Sequence, residues 1–256
     1  MKISLIQPDT IWENKTENLR DLEKLILPLF NKTDLVVLPE MFNTGFSMDP
    51  ERLSEPPGME TFEWMKNMAT LGGFGLCGSY IVRDNSLYHN RFVFVSPGNE
   101  VWHYDKRHLF TMAGEQNFFS AGKERMIFRF MDVRICPLIC YDLRFPVWSR
   151  NRNDFDLIIY SANWPERRKT AWNTLIRARA IENQCFVAGV NRVGTDGNGI
   201  KYAGESLLIN HLGEIRADAG LDMPCVVTGD ISMNELLEFR AGYPFMNDAD
   251  DFSIKA

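Results

Sequence analysis

The stretch Ile135-Cys136-Pro137-Leu138-Ile139-Cys140-Tyr141-Asp142-Leu143-Arg144-Phe145-Pro146 decides how this chain is read. From Val133 to Ile139 it is an apolar run rich in Ile and Val, the pattern of a buried strand. At Cys140 that pattern stops, and polar residues and a proline-bounded turn follow. A thiol there stands at the carboxyl end of a central strand, the edge at which open α/β folds bind their ligands. Free cysteine is more often a small buried hydrophobe than a nucleophile, so its partners must decide its role. Pro137 removes a ladder donor and predicts either a bulge or an edge beside it.

Working outward, the same plan occurs twice. In the first half, Met1 to Gln7 reads as a strand and Asn14 to Phe30 as an amphipathic helix, with apolar Leu19, Leu22, Leu25, Ile26 and Leu29. Asp34-Leu35-Val36-Val37-Leu38-Pro39-Glu40 is a short, wholly apolar strand, suited to a sheet covered on both faces. Thr61 to Leu71 predicts a helix and Gly75 to Val82 a third strand. Leu87 to Val95 and Glu100 to Tyr104 flank Ser96-Pro97-Gly98-Asn99 as a hairpin.

The second half answers each element. Val133 to Cys140 is a strand, and Phe155 to Asn163 repeats the Asp-Leu-apolar run that ended at Glu40. Lys169 to Asn183 is the matching helix, Gln184 to Arg192 the matching strand, and Ser206 to Asn210 with Glu214 to Asp218 the matching hairpin. Two similar halves predict one α/β domain over residues 1–256, with two sheets packed face to face, helices outside, and a site between strand ends. Glu51 to Gly58 reads as a surface loop near that site. The tail 240–256 is apolar but weakly periodic, which predicts packing on a partner subunit in a homodimer.

Composition narrows the function classes. A 45% hydrophobic share supplies a sizeable core, and a net charge of −6 without a basic cluster argues against a nucleic-acid partner. No apolar run approaches the roughly 20 residues that span a membrane. The amino end lacks the apolar stretch and cleavage site of a signal peptide. Five cysteines without framework spacing fit a reducing compartment. Together these predict a cytoplasmic protein.

Three reactive residues follow apolar strands: Glu40, Lys106 after Val101-Trp102-His103-Tyr104, and Cys140. A carboxylate, an amine and a thiol are what hydrolysis of an unactivated amide through a covalent intermediate requires. The thiol needs a base to become the nucleophilic thiolate. The tetrahedral oxyanion needs fixed positive charge or N–H donors, each worth on the order of 3 kcal/mol of barrier. The carboxyl group can shuttle the proton from thiol to departing ammonia and then activate water. Taken singly, Glu40 could be a plain helix-start carboxylate and Lys106 a solvated turn lysine; their joint context is more specific.

Leu38-Pro39-Glu40-Met41-Phe42, Tyr104-Asp105-Lys106-Arg107-His108-Leu109-Phe110 with Gly114-Glu115, and Cys140-Tyr141-Asp142-Leu143-Arg144-Phe145-Pro146 resemble the three catalytic blocks of the nitrilase (carbon–nitrogen hydrolase) superfamily. Met41-Phe42-Asn43-Thr44-Gly45-Phe46 and Ala162-Asn163-Trp164-Pro165 are most similar to its omega-amidase branch. The resemblance implies a four-layer αββα sandwich and hydrolysis of the terminal amide of 2-oxoglutaramate or 2-oxosuccinamate. It implies Cys140 as nucleophile, Glu40 as general base and acid, and Lys106 as oxyanion stabiliser. The backbone N–H of Tyr141 becomes the second oxyanion donor, and Glu115 a carboxylate that orients the lysine. An oxo-diacid monoamide carries a carboxylate, for which Arg144 and Arg167 are candidates; an Arg144–Asp142 ion pair is the competing expectation for Arg144. Phe42, Phe46 and Trp164 are candidates for pocket walls, against the commoner fate of aromatic residues in the core.

Other patterns lose on inspection. Gly73-Phe74-Gly75-Leu76-Cys77-Gly78 has GxGxxG spacing but follows a helix and enters a strand, the reverse of a dinucleotide site. Cys136 and Cys140 lie about 13 Å apart on a strand, beyond the roughly 7 Å limit for a disulfide. His89, His103, His108 and His211 lack ligand spacing, so neither a metal nor another cofactor is expected. The competing functions are the same chemistry on a carbamoyl compound, a deaminated glutathione or a nitrile, and, in a different class, a thiol redox sensor or binding protein.

Overall fold

Both faces of the short strand Leu35–Val37 are buried, and its alternation sets the layering. Leu35 and Val37 join an inner cluster with Ile3, Leu5, Cys77 and residues of the second half, while Val36 joins an outer cluster with Ile6 and Leu76. Period-two alternation with apolar residues on both sides requires a covered sheet, and this is what the chain builds. The computed structural model describes residues 1–254. Its first half runs β1 (Lys2–Gln7), α1 (Lys15–Ile26), β2 (Leu35–Val37), α2 (Pro50–Leu53), α3 (Glu60–Gly72), β3 (Gly75–Asp84), β4 (Leu87–Val95) and β5 (Val101–Asp105). The second runs β6 (Phe128–Phe130), β7 (Val133–Ile139), β8 (Leu157–Ser161), α4 (Lys169–Glu182), β9 (Phe186–Val190), β10 (Val193–Thr195), β11 (Lys201–Ala203), β12 (Leu207–Ile209), β13 (Ile215–Asp218), β14 (Cys225–Asp230) and α5 (Met233–Gly242).

Two six-stranded sheets result, ordered β14-β1-β2-β3-β4-β5 and β13-β12-β9-β8-β7-β6. In the first, β1, β2 and β3 are parallel, while β4, β5 and β14 pair antiparallel. In the second, β7, β8 and β9 are parallel, while β12, β13 and β6 pair antiparallel. The sheets face one another: Phe94 of β4 meets Phe128 of β6 at 4.6 Å between ring centroids, and Trp102 of β5 stacks on the same ring at 5.1 Å. Helices cover the outer faces. Leu22 and Ile26 of α1 and Met65 and Ala69 of α3 pack on the first sheet. Trp172 of α4 lies close enough to Gly189 of β9 that a Cβ there would meet it at 3.0 Å. The mixed α/β sandwich is therefore the architecture expected from the sequence.

Local chemistry explains most boundaries. Asn14 caps α1 by accepting from the Glu17 amide at 3.2 Å. Pro28 then tightens the helix end into a single 3-10 turn, Leu27–Leu29. Gly73 ends α3 in the left-handed region at φ 70°, which identifies the glycine-spaced segment as a helix cap. Pro137 sits beside an edge: β6 reaches only the level of Ile135, so at Pro137 the strand has β8 on one side and no ladder partner on the other.

The structure corrects one expectation and adds two findings. Glu51–Gly58 is not a plain loop, because Pro50–Leu53 forms the single turn α2 and Glu55 is buried, accepting from the Thr61 amide at 2.8 Å. The ribbon β10–β11 and the strand β14 were not anticipated, being short or interrupted by polar residues. Part of the tail folds back on its own chain, where Arg152 lies 4.4 Å over the Phe252 ring and donates to its carbonyl. Residues 255–256 of the expected tail lie outside the described residues.

Candidate active site

The carboxyl ends of β2, β5, β7 and β8 converge, and each delivers one polar residue. Cys140 follows β7 directly and opens a 3-10 turn, Cys140–Arg144, with φ at 42°. Left-handed backbone at a non-glycine residue costs on the order of 1–3 kcal/mol and persists where the surroundings impose it. Here Asp142 imposes it. Its buried carboxylate accepts from the Ile139 amide at 3.0 Å, the Tyr104 hydroxyl at 2.8 Å and the His108 amide at 2.9 Å. One side chain thus ties the turn bearing Cys140 to the segment bearing Lys106. The Arg144–Asp142 pair considered above does not form, since Asp142 is committed elsewhere.

Lys106 and Glu40 are each only 1% exposed, and Glu115 is fully buried. Lys106 Nζ lies 2.7 Å from Glu40 Oε1, and 3.1 and 3.0 Å from the two oxygens of Glu115. Two carboxylates around one ammonium leave the cluster with one negative charge in excess. Burial pulls the lysine down, but Glu115 and Glu40 outweigh it and hold the ammonium above its usual range. Burial raises Glu115, with Lys106 opposing it. An ammonium has three donors; one oxygen of Glu40 and two of Glu115 surround it, and the Phe46 ring of the cavity wall lies 5.1 Å from Nζ.

Cys140 lines the cavity, yet protein packs closely around its sulfur. Burial and the Glu40 carboxylate push the thiol well above its ordinary value, with Lys106 pulling the other way. At rest it is therefore a neutral thiol beside a base, with the Asn163 carbonyl 3.8 Å from Sγ. Glu40 Oε2 accepts from the Asn163 amide at 2.9 Å and keeps lone-pair capacity for the thiol proton. The amide of Tyr141 lies in the first turn of its helix, where N–H groups have no intrahelical acceptor.

These groups open onto a cavity of about 610 Å³, lined by Glu40, Lys106, Cys140, Tyr141, Arg144 and Trp164 among others. The volume is that of a small-molecule pocket. Of the expected wall residues, Phe46 and Trp164 take part and Phe42 does not. Phe42 is 1% exposed and packs outward against Trp64 and Tyr80, because the turn at Met41 (φ 43°) aims it into the helix layer. Glu115 lies behind Lys106, outside the cavity wall.

The mouth is electrostatically lopsided. Arg144, Arg167 and Arg168 line it, and among the described residues none has a carboxylate partner. Arg144 lies over the Trp164 ring at 4.9 Å and Arg168 over the Phe110 ring at 5.0 Å, which leaves their N–H edges free. Burial, together with Arg167 and Arg144, lowers Arg168. The acids on the rim are spent: Glu13 and Asp49 both bind Arg52, and Asp196 accepts from the Tyr202 hydroxyl at 2.9 Å. Among the described residues no group of three or more His, Cys, Asp or Glu is placed to hold a metal ion, and no helix is long and apolar enough to cross a membrane.

Sequence reasoning passed over Asn90, Asn163 and Arg168. Asn90 is a neutral residue inside β4 and carries no sequence signal, while Asn163 was marked only by its place in the repeat of the Glu40 strand and in the block Ala162-Asn163-Trp164-Pro165.

Comparison with known proteins adds an independent line. The model of the carbon-nitrogen hydrolase family matches residues 2–241. The omega-amidase YafV of Escherichia coli K12 is 44% identical over 254 residues, 99% of this chain and 98% of that protein. A 2-oxoglutaramate amidase of Bacillus subtilis is 34% identical over 251 residues, covering 96% of each. The crystal structure of XC1258 from Xanthomonas campestris, a CN-hydrolase superfamily protein with an arsenic adduct in its active site, superposes with a TM-score of 0.97 at 42% identity, over 100% of this chain and 99% of that one.

Proposed function

This chain belongs to the carbon-nitrogen hydrolase family, and from that premise we propose that it hydrolyses the terminal amide of small 2-oxo-acid monoamides, 2-oxoglutaramate and 2-oxosuccinamate. The observation that carries the reading is the contact chain from Cys140 through Asn163 and Glu40 to Lys106, at the floor of a cavity whose mouth bears three guanidinium groups without a carboxylate partner among the described residues.

Glu40 Oε2 takes the thiol proton as Cys140 Sγ attacks the amide carbon. The oxyanion forms against the Lys106 ammonium and the Tyr141 amide. Collapse breaks the C–N bond, and Glu40 returns the proton so that ammonia leaves and a thioester remains. Glu40 then deprotonates water, which attacks the thioester; the C–S bond breaks, the product carboxyl forms and the thiol is regenerated. Glu115, by holding Lys106 from behind, keeps the ammonium charged and aimed. No step needs an external cofactor.

Substrate choice rests on charge. Guanidinium groups bind carboxylates bidentately, so Arg144 and Arg168, held flat on aromatic rings, would take the 2-oxo acid end, with Trp164 as a wall. The rim has no uncommitted carboxylate for a 2-ammonium group. Glutamine should therefore be a poor substrate beside 2-oxoglutaramate. The test is ammonia release from a panel of 2-oxoglutaramate, 2-oxosuccinamate, glutamine, a carbamoyl compound, a deaminated glutathione and a nitrile. The oxo-acid amides should show the highest kcat/KM, and a Cys140→Ala protein that still releases ammonia would overturn the reading.

The protein is further taken to be a cytoplasmic homodimer. All five cysteines are free, which suits a reducing compartment, and Leu237, Tyr243 and Phe245 are more than half exposed on and after α5. Sedimentation of the wild type against Leu237→Glu tests the dimer.

A further inference from the structure

The proposed reaction asks Glu40 to be a base on one of its two oxygens, and the surroundings of Asn90 decide which. Asn90 lies on β4, fully buried. Its Nδ2 donates to Glu40 Oε1 at 2.8 Å and reaches Glu115 Oε1 at 3.4 Å, while its backbone carbonyl accepts from the Lys106 amide at 3.0 Å. It therefore touches both carboxylates of the cluster and the backbone of the lysine between them. Its amide orientation is fixed by counting protons. The Met41 amide donates to Ser79 Oγ at 3.0 Å, so the single hydroxyl proton of Ser79 is free to go to Asn90 Oδ1, 2.8 Å away. The reverse orientation would turn an amide oxygen toward two carboxylates. Ser79 and Asn90 thus relay polarity from the backbone beside Glu40 back to the Glu40 side chain.

We propose that Asn90, oriented by Ser79, is a positioning residue that selects Glu40 Oε2 as the proton acceptor for Cys140. Oε1 is occupied by two donors, Lys106 and Asn90, whereas Oε2 carries only the Asn163 amide. The neutrality of Asn90 matters as much as its donor. A cation at this place would cancel the excess negative charge of the Glu40–Glu115–Lys106 cluster and weaken the pull on the thiol proton. A third carboxylate would add repulsion to the cluster and remove the donor that holds Oε1. An amide anchors the base without doing either.

The inference rests on the proposed hydrolase reading, and the test separates the two. Asn90→Ala, Asn90→Asp and Ser79→Ala are compared with wild type and Cys140→Ala on 2-oxoglutaramate, with melting temperature as the folding control. Asn90→Ala should lower kcat about 10- to 100-fold with KM within about threefold, the signature of an interaction that matters in the transition state. Losing the donor that anchors Oε1 should alter the acid limb of kcat/KM. Alkylation of Cys140 by iodoacetamide should slow in parallel. Asn90→Asp keeps the shape, so a packing role predicts near wild-type turnover. The positioning role predicts that at pH 8 it falls below Asn90→Ala, with the gap closing as pH drops. Ser79→Ala, the mildest change, should lose about 3- to 10-fold and shift the same limb; it decides the matter if the Asn90 variants fail to fold. Unchanged pH profiles in the folded variants, or full activity in Asn90→Asp, overturn the inference while leaving the hydrolase reading intact if Cys140→Ala is inactive. An active Cys140→Ala removes both.

Discussion

The carboxyl end of β7 and that of β1 occupy matching places in the two sheets and have opposite characters. Three bonds across the sheet interface each span 123 residues: Ser161 to the Leu38 carbonyl, and two between Asn163 and Glu40. They pair Leu38 with Ser161 and Glu40 with Asn163. Ile3 pairs with Leu35 in one sheet as Cys136 pairs with Ile158 in the other, so by register Gln7 stands where Cys140 stands. Gln7 is buried and fully engaged, accepting from the amide and hydroxyl of Ser206 at 3.0 and 2.9 Å and donating to the carbonyls of Gly220 and Met223 at 3.2 and 3.0 Å. Cys140 has one weak contact at 3.8 Å and a strained backbone. Glu40 is charged where Asn163 is neutral. At each matched pair of strand ends one half supplies the chemically reactive group, Cys140 or Glu40, and the other supplies an amide, Gln7 or Asn163. Gln7 ends with every partner made, whereas Cys140 and Glu40 keep a proton or a lone pair free.

The sharpest way to break this contrast is to delete each member of the Cys140–Gln7 pair. Cys140→Ala should lose more than about 10⁴-fold in kcat with little change in melting temperature. Gln7→Ala should do the reverse, losing roughly 2–4 kcal/mol of stability through orphaned buried partners, with kcat per folded molecule within about threefold. A Gln7→Ala protein that melts normally but has lost turnover would end the comparison.

Next in size is Lys106→Met. Turnover should fall about 10²- to 10³-fold from the lost oxyanion donor, and stability by about 3–5 kcal/mol from the unpaired carboxylates. Burial already raises Glu115 in the wild type. Without the lysine that carboxyl binds its proton still more tightly folded than unfolded, so stability is greatest at low pH and lost as pH rises. Melting curves from pH 5 to pH 8 check this: the variant should melt progressively earlier, and a flat profile would contradict the buried-charge account.

Cys140 offers a third test. Because burial and Glu40 hold it as a neutral thiol, iodoacetamide alkylation should accelerate about tenfold per pH unit between pH 7 and pH 9 without a plateau. A plateau near neutrality would indicate a resting thiolate–ammonium pair instead. The smallest effect concerns the rim. Arg168→Ala should raise KM for 2-oxoglutaramate about 10- to 30-fold with kcat little changed, and should leave an uncharged amide unaffected. Equal losses on both substrates would assign Arg168 to structure.

Much of the scaffold was legible because burial leaves a linear mark. Apolar runs such as Leu35–Val37 and Leu157–Ser161 are strands because both faces are covered, and Ser96-Pro97-Gly98-Asn99 turns because its residues permit little else. The three motif blocks put Glu40, Lys106 and Cys140 forward, and the fold brings them into one contact network. Phe42 and Phe46 were not separable, since one loop carries both and the backbone at Met41 and Gly45 (φ 43° and 76°) sends one to the helices and the other to the lysine. Asp142 was weighed only as an ion-pair partner for Arg144, while its bonds run to His108 and Tyr104 from a different strand.

Sequence alone therefore determined the layered α/β architecture and put the candidate reactive groups forward, because hydrophobic periodicity and residue chemistry are properties of neighbours along the chain. Tertiary structure decided which oxygen of Glu40 remains free, which aromatic ring walls the cavity and which arginines stay unpaired. Those outcomes depend on donors and acceptors contributed by residues far apart in the chain, and no local pattern records how such groups divide their hydrogen bonds once they meet.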